Sequence, residues 1–203
     1  MKLKDIIIQH NLNGDFHNGK KYNNGGTDKT LIHSYIDNFY EDQFLKYKDS
    51  KVSLLEIGIQ GGASLKLWKE YFLNYDTIVG IDISEDNVHQ DYKNISGINY
   101  IFGDAYSDEI VNKVSNFDII IDDGPHSIES QINCINKYLP KLNSGGIMVI
   151  EDVQDITWID KFIENFKKFY EKDDTDCFYE LETIDLRNIK NRYDDIIFTI
   201  RKK

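Results

Sequence analysis

The segment Phe117–Ser127, FDIIIDDGPHS, combines in one short stretch several residue types that can do chemistry. Three successive isoleucines predict a buried strand that ends at Asp122 and Asp123, and a Gly-Pro turn then leads to His126. Ligands of open α/β sheets bind just beyond the carboxyl ends of the strands. Carboxylates at that edge can hold a divalent cation through oxygen, and a neutral imidazole can accept a proton near neutral pH.

The same residues also suit a purely structural turn. Asp, Gly and Pro are favoured turn formers, and Ser127 is a typical N-cap for a helix that would follow. On this segment alone, a reaction centre and a structural turn are both open, so the surrounding elements must decide between them.

The elements that would position these residues alternate in type after residue 50. Short β-type runs separated by helical stretches predict a parallel sheet with helices on both faces. The β-type runs are Val52–Ile57, Thr77–Asp82, Ile98–Gly103, Phe117–Asp122 and Gly146–Ile150, and the helical stretches are Ala63–Leu73, Ser127–Leu139 and Ile156–Tyr170. Two last runs, Cys177–Asp185 and Asp194–Ile200, predict an antiparallel hairpin at the sheet edge, joined by a polar loop over Arg187–Arg192.

The chain divides, on its composition, into residues 1–50, a flexible and helical segment, and residues 51–203, one domain. Asn11–Gly26 is rich in glycine and asparagine, which predicts a mobile loop or a lid. Leu31–Leu45 is predicted to be helical. It carries several polar and aromatic residues, for which ordinary packing and surface roles are the favoured interpretation: His33, Tyr35, Tyr40 and Glu41.

Composition excludes several classes of function. A net charge of −11 argues against a nucleic-acid partner, because phosphate binding needs clustered Lys and Arg. Cys134 and Cys177 lack metal-binding spacing and are predicted to be free thiols in a reducing compartment. No apolar run is long enough to cross a membrane, and Ile6–Ile8 is too short for a signal peptide. We therefore expect a cytoplasmic protein without a membrane partner.

A glycine-rich turn follows the first predicted strand, in Leu54–Gly62. Its glycines permit close backbone approach to a ligand, but their spacing is not GxGxxG, which favours a nucleoside without a pyrophosphate. Asp82 ends the second strand, where an acid can accept hydrogen bonds from ribose hydroxyls. Asp104 follows the third strand and could reach an adenine amino group.

Together these motifs resemble those of a known enzyme family. The series LEIGxxxG, GIDI, GDA, FDIIIDDGPH and LxxGGIMVIED is similar to that of class I S-adenosylmethionine-dependent methyltransferases, over about Lys51 to Asp152. More narrowly, GTDK (Gly26–Lys29) with His33 and Tyr35, together with DDGPH and IED, resembles the metal-dependent sugar O-methyltransferases of the macrocin and mycinamicin type. The chain is shorter than those macrolide enzymes and is expected to lack their N-terminal domain.

The resemblance implies an α/β, Rossmann-like, doubly wound seven-stranded sheet, mostly parallel with a C-terminal antiparallel hairpin. It implies S-adenosylmethionine and Mg²⁺ as cofactors and His126 as the general base. Asp123 and Asp152 would bind the metal, with Glu41 as a further candidate ligand and Glu151 as an alternative to Asp152. The cofactor-binding residues would be Glu56, Gly58, Gly61, Gly62, Ser64, Asp82, Ile83, Gly103, Asp104, Ala105 and Asp122.

The function expected from sequence and resemblance is O-methylation of a hydroxyl on a sugar or polyol-type small molecule. Residues 1–50 would lie on the side of the methyl acceptor, which could be a sugar, a nucleotide sugar or a glycan. A catechol-type O-methyltransferase stays open, because such enzymes also use a metal. A nicotinamide-dependent oxidoreductase and a non-catalytic nucleotide-binding module are further alternatives, and a homo-oligomer is left open.

Overall fold

The computed structural model describes residues 1–14, 26–170 and 179–203. Most of the predicted Asn11–Gly26 loop therefore lies outside the described residues, as does Cys177 at the start of the first hairpin run. The other cysteine, Cys134, is a buried free thiol, as predicted.

Seven strands form one sheet. They are Val52–Ile57 (β1), Tyr75–Asp82 (β2), Ile98–Phe102 (β3), Phe117–Asp122 (β4), Leu142–Ile150 (β5), Tyr179–Asp185 (β6) and Ile196–Lys202 (β7). The strand order is β3-β2-β1-β4-β5-β7-β6. Neighbours from β3 to β5 are parallel, whereas β7 is antiparallel to both β5 and β6. The predicted doubly wound sheet with its C-terminal antiparallel hairpin is confirmed.

Strand ends differ from the predicted bounds where pairing extends a strand past its apolar run. Strand β5 begins at Leu142, before the predicted Gly146, because Leu142 pairs with Phe117 of β4. Strand β7 continues to Lys202, which pairs with Tyr179. The predicted polar loop between the hairpin strands contains a short helix, Arg187–Lys190.

Helices cover both faces of the sheet. The α-helices are Leu3–Gln9 (α1), Glu41–Gln43 (α2), Ala63–Tyr71 (α3), Asp108–Val111 (α4), Ile128–Tyr138 (α5), Trp158–Tyr170 (α6) and Arg187–Lys190 (α7). Successive strand side chains point to opposite faces, so Leu54 packs in the same buried cluster as α1 and α3, and Leu55 in that of α5 and α6. No helix among the described residues combines the length and apolarity needed to span a bilayer.

The N-terminal segment packs on the sheet but is less helical than predicted. Instead of one helix over Leu31–Leu45, a π-helical turn at Ile36–Tyr40 leads into the short α2. The Phe44 ring lies 5.4 Å from that of Trp68 on α3, between ring centroids. The described residues before Lys51 thus share a core with the sheet, and the domain boundary at residue 51 stays a prediction of the sequence.

Replacing Phe44 by Ala is expected to destabilise the whole fold by about 3–5 kcal/mol, the usual cost of deleting a buried aromatic ring. Phe44 is 0% exposed, whereas its neighbour Leu45 is 62% exposed and provides the matched control Leu45→Ala. Urea unfolding followed by circular dichroism should show one transition, shifted in F44A and nearly unchanged in L45A. Equal midpoints for F44A and the parent would contradict the integration of this segment into the core.

Candidate functional site

A sharp turn after β1 joins the ends of three strands. Gly58 has φ 79°, a left-handed conformation that favours glycine. A Cβ atom at Gly58 would lie 2.0 Å from the carbonyl oxygen of Asp123, so no other residue fits without moving the turn after β4. The Gly58 amide donates to the Ile81 carbonyl at 2.8 Å, which fixes the same turn to the end of β2.

A cavity of about 430 Å³ opens over this turn. Its size is within the range of small-molecule sites. It is lined by most of the predicted cofactor-binding residues, namely Gly58, Gly61, Ser64, Asp82, Ile83, Gly103, Asp104 and Ala105. Asp123 and His126 also line it, as do Gly26, Thr27 and Asp28 of the N-terminal segment. The ends of β1, β2, β3 and β4 therefore contribute to one concave surface.

Three predicted cofactor-binding residues do not line this cavity. Glu56 is fully buried and accepts a hydrogen bond from Trp68 Nε1 at 3.1 Å. Gly62 has φ 94° at the N-cap of α3 and packs against Tyr92. Asp122 is buried and accepts a hydrogen bond from the Tyr106 hydroxyl at 2.8 Å. The resemblance implied cofactor contacts for these three residues, and those contacts stay a prediction.

The two acids predicted to bind ribose and adenine both hold backbone at the cavity wall. Asp82 Oδ2 accepts from the Gln60 amide at 2.9 Å, and Asp82 Oδ1 accepts from Asn87 Nδ2 at 2.7 Å. Asp104 Oδ1 accepts from the Tyr106 amide at 2.9 Å. The Ser84 amide also donates to Asp82 Oδ1, at 3.3 Å. Since a carboxylate oxygen can accept two hydrogen bonds, Asp82 Oδ2 and the Asp104 carboxylate retain capacity for a ligand.

The turns after β4 and β5 bring Asp123, His126 and Asp152 together, with one ligand atom from each within 4.8 Å of the others. His126 Nε2 lies 3.6 Å from Asp152 Oδ2 and 3.8 Å from Asp123 Oδ1. His126 Nδ1 is buried, with no hydrogen-bond partner among the described residues. These are the three residues singled out in the sequence: the carboxylate oxygens of the two acids fit a divalent cation, and the imidazole beside them can accept a proton.

Burial and the nearby negative charge change the pKa of Asp152. Burial, followed by the charge of Asp123, raises the pKa of Asp152 to about 6. The Tyr35 hydroxyl donates to Asp152 Oδ1, which holds the carboxylate in place. A bound cation would remove the repulsion between these acids, as opposite charge lowers a carboxyl pKa.

Lys29 contacts several acids of the site, a role that its sequence position does not reveal. Its Nζ donates to Asp123 Oδ2 at 2.6 Å and to Glu151 Oε2, and it lies 3.8 Å from Glu56 Oε1. Burial would lower the pKa of Lys29, but the charges of these three acids raise it well above its ordinary value. The only signal was its place in GTDK, next to a glycine-rich segment.

Glu41 and Glu151, the two further metal-ligand candidates, face away from this group. Glu41 Oε2 accepts a hydrogen bond from the Leu3 amide at 2.8 Å, at the start of α1. Glu151 Oε1 accepts from the Tyr40 hydroxyl at 2.7 Å, and its other oxygen binds Lys29. The structure therefore does not bring Glu41 to the predicted cation site, and it favours Asp152 over Glu151.

A second group of potential ligands, Asp28, His33 and Asp152, shares one acid with the first. His33 Nδ1 lies 2.6 Å from Asp195 Oδ1 and 3.4 Å from Asp152 Oδ1. Burial would lower the pKa of His33, but its hydrogen bond to Asp195 and the charge of Asp152 raise it overall. Because His33 Nδ1 is already held by Asp195, we interpret His33 as support for Asp152.

Glu56 should make the protein less stable as the pH rises. Burial raises its pKa to about 7 in the folded state, against 4.5 for an ordinary glutamate. Between these values the unfolded chain releases the proton and the folded protein retains it, so folding loses up to about 3 kcal/mol as the pH rises through this window. Glu56→Gln should abolish this loss, and its stability relative to the parent should increase from pH 5 to pH 7, as measured by urea unfolding.

Glu70 on the outer side of α3 provides the control, because its hydrogen bond with Lys66 lowers its pKa. Glu70 stabilises the fold above its ordinary pKa and loses that effect as the pH falls. Between pH 5 and pH 7 the Glu70→Gln variant should therefore keep a nearly constant stability relative to the parent, because the pKa of Glu70 lies below this range. Parallel pH profiles for E56Q and the parent would refute the raised pKa of Glu56.

Comparison with known proteins gives the same family as the motifs. Residues 55–153 match the model of a methyltransferase domain. A Streptomyces olivaceus 8-demethyl-8-alpha-L-rhamnosyl tetracenomycin-C 2'-O-methyltransferase is 31% identical over 140 residues, 66% of this chain and 36% of that protein. The mycinamicin VI 2''-O-methyltransferase of Micromonospora griseorubida is 35% identical over 127 residues, 59% of this chain and 31% of that protein. The chain thus spans about a third of the length of these relatives.

Solved structures show the same fold. A methyltransferase of the mycinamycin biosynthetic pathway, solved in complex with Mg, SAH (S-adenosylhomocysteine) and mycinamycin VI, has a TM-score of 0.70 at 21% identity, covering 100% of this chain and 54% of that one. An O-methyltransferase from Bacillus cereus has a TM-score of 0.59 at 15% identity, covering 98% of this chain and 89% of that one. The chain therefore has the fold of these methyltransferases, matches a methyltransferase domain over residues 55–153, and resembles the sugar O-methyltransferases of the macrocin and mycinamicin type.

Proposed function

We propose that the protein is an S-adenosylmethionine-dependent O-methyltransferase that methylates a hydroxyl of a sugar or polyol-type small molecule. The observation that carries this proposal is the convergence of Asp123, His126 and Asp152 beside the cavity over the glycine turn. A cofactor cavity beside a base and two acids is the set of parts needed to deprotonate a hydroxyl and alkylate it.

The cavity supports S-adenosylmethionine as the cofactor. Asp82 and Asp104 would accept hydrogen bonds from the ribose and the adenine, while the glycine turn allows close backbone approach. The relative from the mycinamycin pathway was solved with SAH and Mg. For this chain, Asp123 and Asp152 would hold Mg²⁺ through carboxylate oxygen, and Mg²⁺ commonly keeps several waters as its other ligands.

His126 would act as the base. Its Nε2 faces both acids and would take the proton from the acceptor hydroxyl, and the nearby carboxylates would stabilise the resulting imidazolium. Bound S-adenosylmethionine supplies the methyl group as an electrophile, and bound Mg²⁺ makes the acceptor hydroxyl more acidic. Because methyl transfer is an in-line displacement, the fixed turns after β1 and β4 contribute by orientation.

A sugar acceptor is favoured over a catechol because several relatives are named for methylating sugar positions. A nicotinamide-dependent oxidoreductase is disfavoured by the glycine spacing, which does not match GxGxxG. The acidic net charge of −11 supports a small-molecule acceptor over nucleic acid. A cytoplasmic location remains part of this proposal.

Calorimetric titration with SAH, with and without Mg²⁺ and in parallel with NAD, tests the cofactor. We expect SAH to bind and NAD to give no heat of binding, because the glycine turn lacks a pyrophosphate cradle. An Asp82→Asn variant should bind SAH more weakly, since it loses a charged acceptor for the ribose hydroxyls. Tight NAD binding without SAH binding would overturn the proposal in favour of an oxidoreductase.

Replacing His126 by Asn should lower turnover by about 10²–10⁴-fold, the usual contribution of a positioned base. Asn is the suitable substitution, because His126 has φ 54° and Asn tolerates the left-handed region. Turnover is measured from SAH release with a panel of sugar acceptors, and SAH affinity should be unchanged. His10→Asn, at the far end of α1, is the control. Full activity of H126N would remove the general-base role.

A further inference from the structure

The buried amino group of Lys29 links the predicted cation site to the interior of the sheet. The Lys29 side chain is 1% exposed, and its Nζ donates to Asp123 Oδ2 at 2.6 Å. On its other side it donates to Glu151 Oε2, and Glu151 Oε1 accepts from the Tyr40 hydroxyl at 2.7 Å. Lys29 is therefore anchored by the fully buried Glu151, and Lys29 in turn holds the Asp123 carboxylate.

This arrangement divides the two oxygens of Asp123 between two directions. Oδ2 binds Lys29, while Oδ1 lies 3.8 Å from His126 Nε2, on the side of Asp152. A carboxylate without the lysine contact could rotate about its side-chain bonds and turn Oδ1 away. The Lys29 contact removes that freedom before any ligand binds, which is the form of preorganisation that metal sites require.

We propose that Lys29 is a positioning residue that fixes Asp123 so that Oδ1 faces the cation site. The proposal rests on the function proposed above and extends it to a residue on the N-terminal segment. It also accounts for Glu151, which lies beside the ligand Asp152 but takes no part in the cation site. Glu151 anchors Lys29, because its Oε2 accepts from Lys29 Nζ while its Oε1 accepts from the Tyr40 hydroxyl.

Lys29 could also have the opposite effect and weaken Mg²⁺ binding, and this hypothesis predicts a different experimental result. An ammonium group at 2.6 Å from Asp123 could compete with Mg²⁺ for the same carboxylate. In that case removal of Lys29 would tighten Mg²⁺ binding. The two hypotheses differ in which oxygen of Asp123 each cation contacts. Competition requires Lys29 and Mg²⁺ to share one oxygen, whereas positioning requires Lys29 on Oδ2 and Mg²⁺ on Oδ1.

The test is calorimetric titration of Mg²⁺ into SAH-loaded protein, for the parent and for Lys29→Met. Because K29M leaves buried carboxylates without their cation, the double variant K29M/E151Q is measured as well. It conserves the net charge of the cluster, and Gln at position 151 can still accept from Tyr40. Lys4→Met removes an ion pair of the same segment, with Asp37 on the surface, and is the matched control.

We expect both Lys29 variants to bind Mg²⁺ about 10–100-fold more weakly, the usual effect of losing a residue that orients a metal ligand. SAH affinity and the midpoint of unfolding of the double variant should stay near those of the parent, which separates positioning from loss of the fold. Unchanged or tighter Mg²⁺ binding by K29M/E151Q would overturn the positioning role of Lys29 and leave the proposed function intact. Failure of the parent to bind SAH would instead overturn the proposed function.

Discussion

The contact between Gly58 and the backbone of Asp123 is the constraint on which the rest of the site depends. Strands β1 and β4 are parallel neighbours, and Gly58 lies so close to the Asp123 carbonyl that a Cβ would overlap it at 2.0 Å. The Asp123 amide in turn donates to Ile57 at 2.8 Å. The cofactor cavity and the acid-histidine turn are therefore two sides of one backbone junction. Any change that widens the junction would separate the proposed cofactor site from His126, the proposed base, and small displacements of this kind are costly for an in-line displacement.

Around that junction several buried acids are each stabilised by a hydrogen bond or an ion pair. Glu151 is shared by Lys29 and Tyr40, and Asp152 accepts from Tyr35. An unpaired buried charge is expensive, so the N-terminal segment, which supplies Lys29, Tyr35 and Tyr40, is an electrostatic part of the sheet edge. Asp123 and Asp152 keep an oxygen each on the side of His126, where a divalent cation would complete the balance.

Elements with strong local signals were predictable from the sequence. Strands β1 and β4 match their predicted bounds, because both are short runs rich in apolar residues and are buried on both faces except at Asp118. The segment over Leu31–Leu45 was predicted to be helical after a plausible N-terminal cap, yet it forms a π-helical turn and short pieces, and its aromatic rings pack against one another. Intrinsic helix propensity is a weak prior that such packing overrides.

The residues of the candidate site also divide into those that the sequence predicts and those that it does not. Asp123 and His126 share one turn, and Asp152 follows a strand that pairs with β4, so sequence and sheet order bring them together. Lys29 could not be found in this way, because its partners Asp123 and Glu151 are 94 and 122 residues away in the chain. A lysine is also rarely buried. Glu41 as a metal ligand stays a prediction; in the structure its carboxylate accepts from the Leu3 amide, and the sequence does not say which way an irregular segment faces.

Backbone conformation explains why the two turns carry their functional side chains so close together. His126 and Asp152 both have left-handed φ angles, 54° and 52°, which non-glycine residues seldom adopt and which cost about 1–3 kcal/mol each. Such a residue reverses the chain direction within one step, so its side chain can turn back toward the strand end. Without this reversal, side chains after β4 and β5 would continue outward and separate. The left-handed backbone at these two residues thus accompanies the 3.6 Å approach between His126 Nε2 and Asp152 Oδ2.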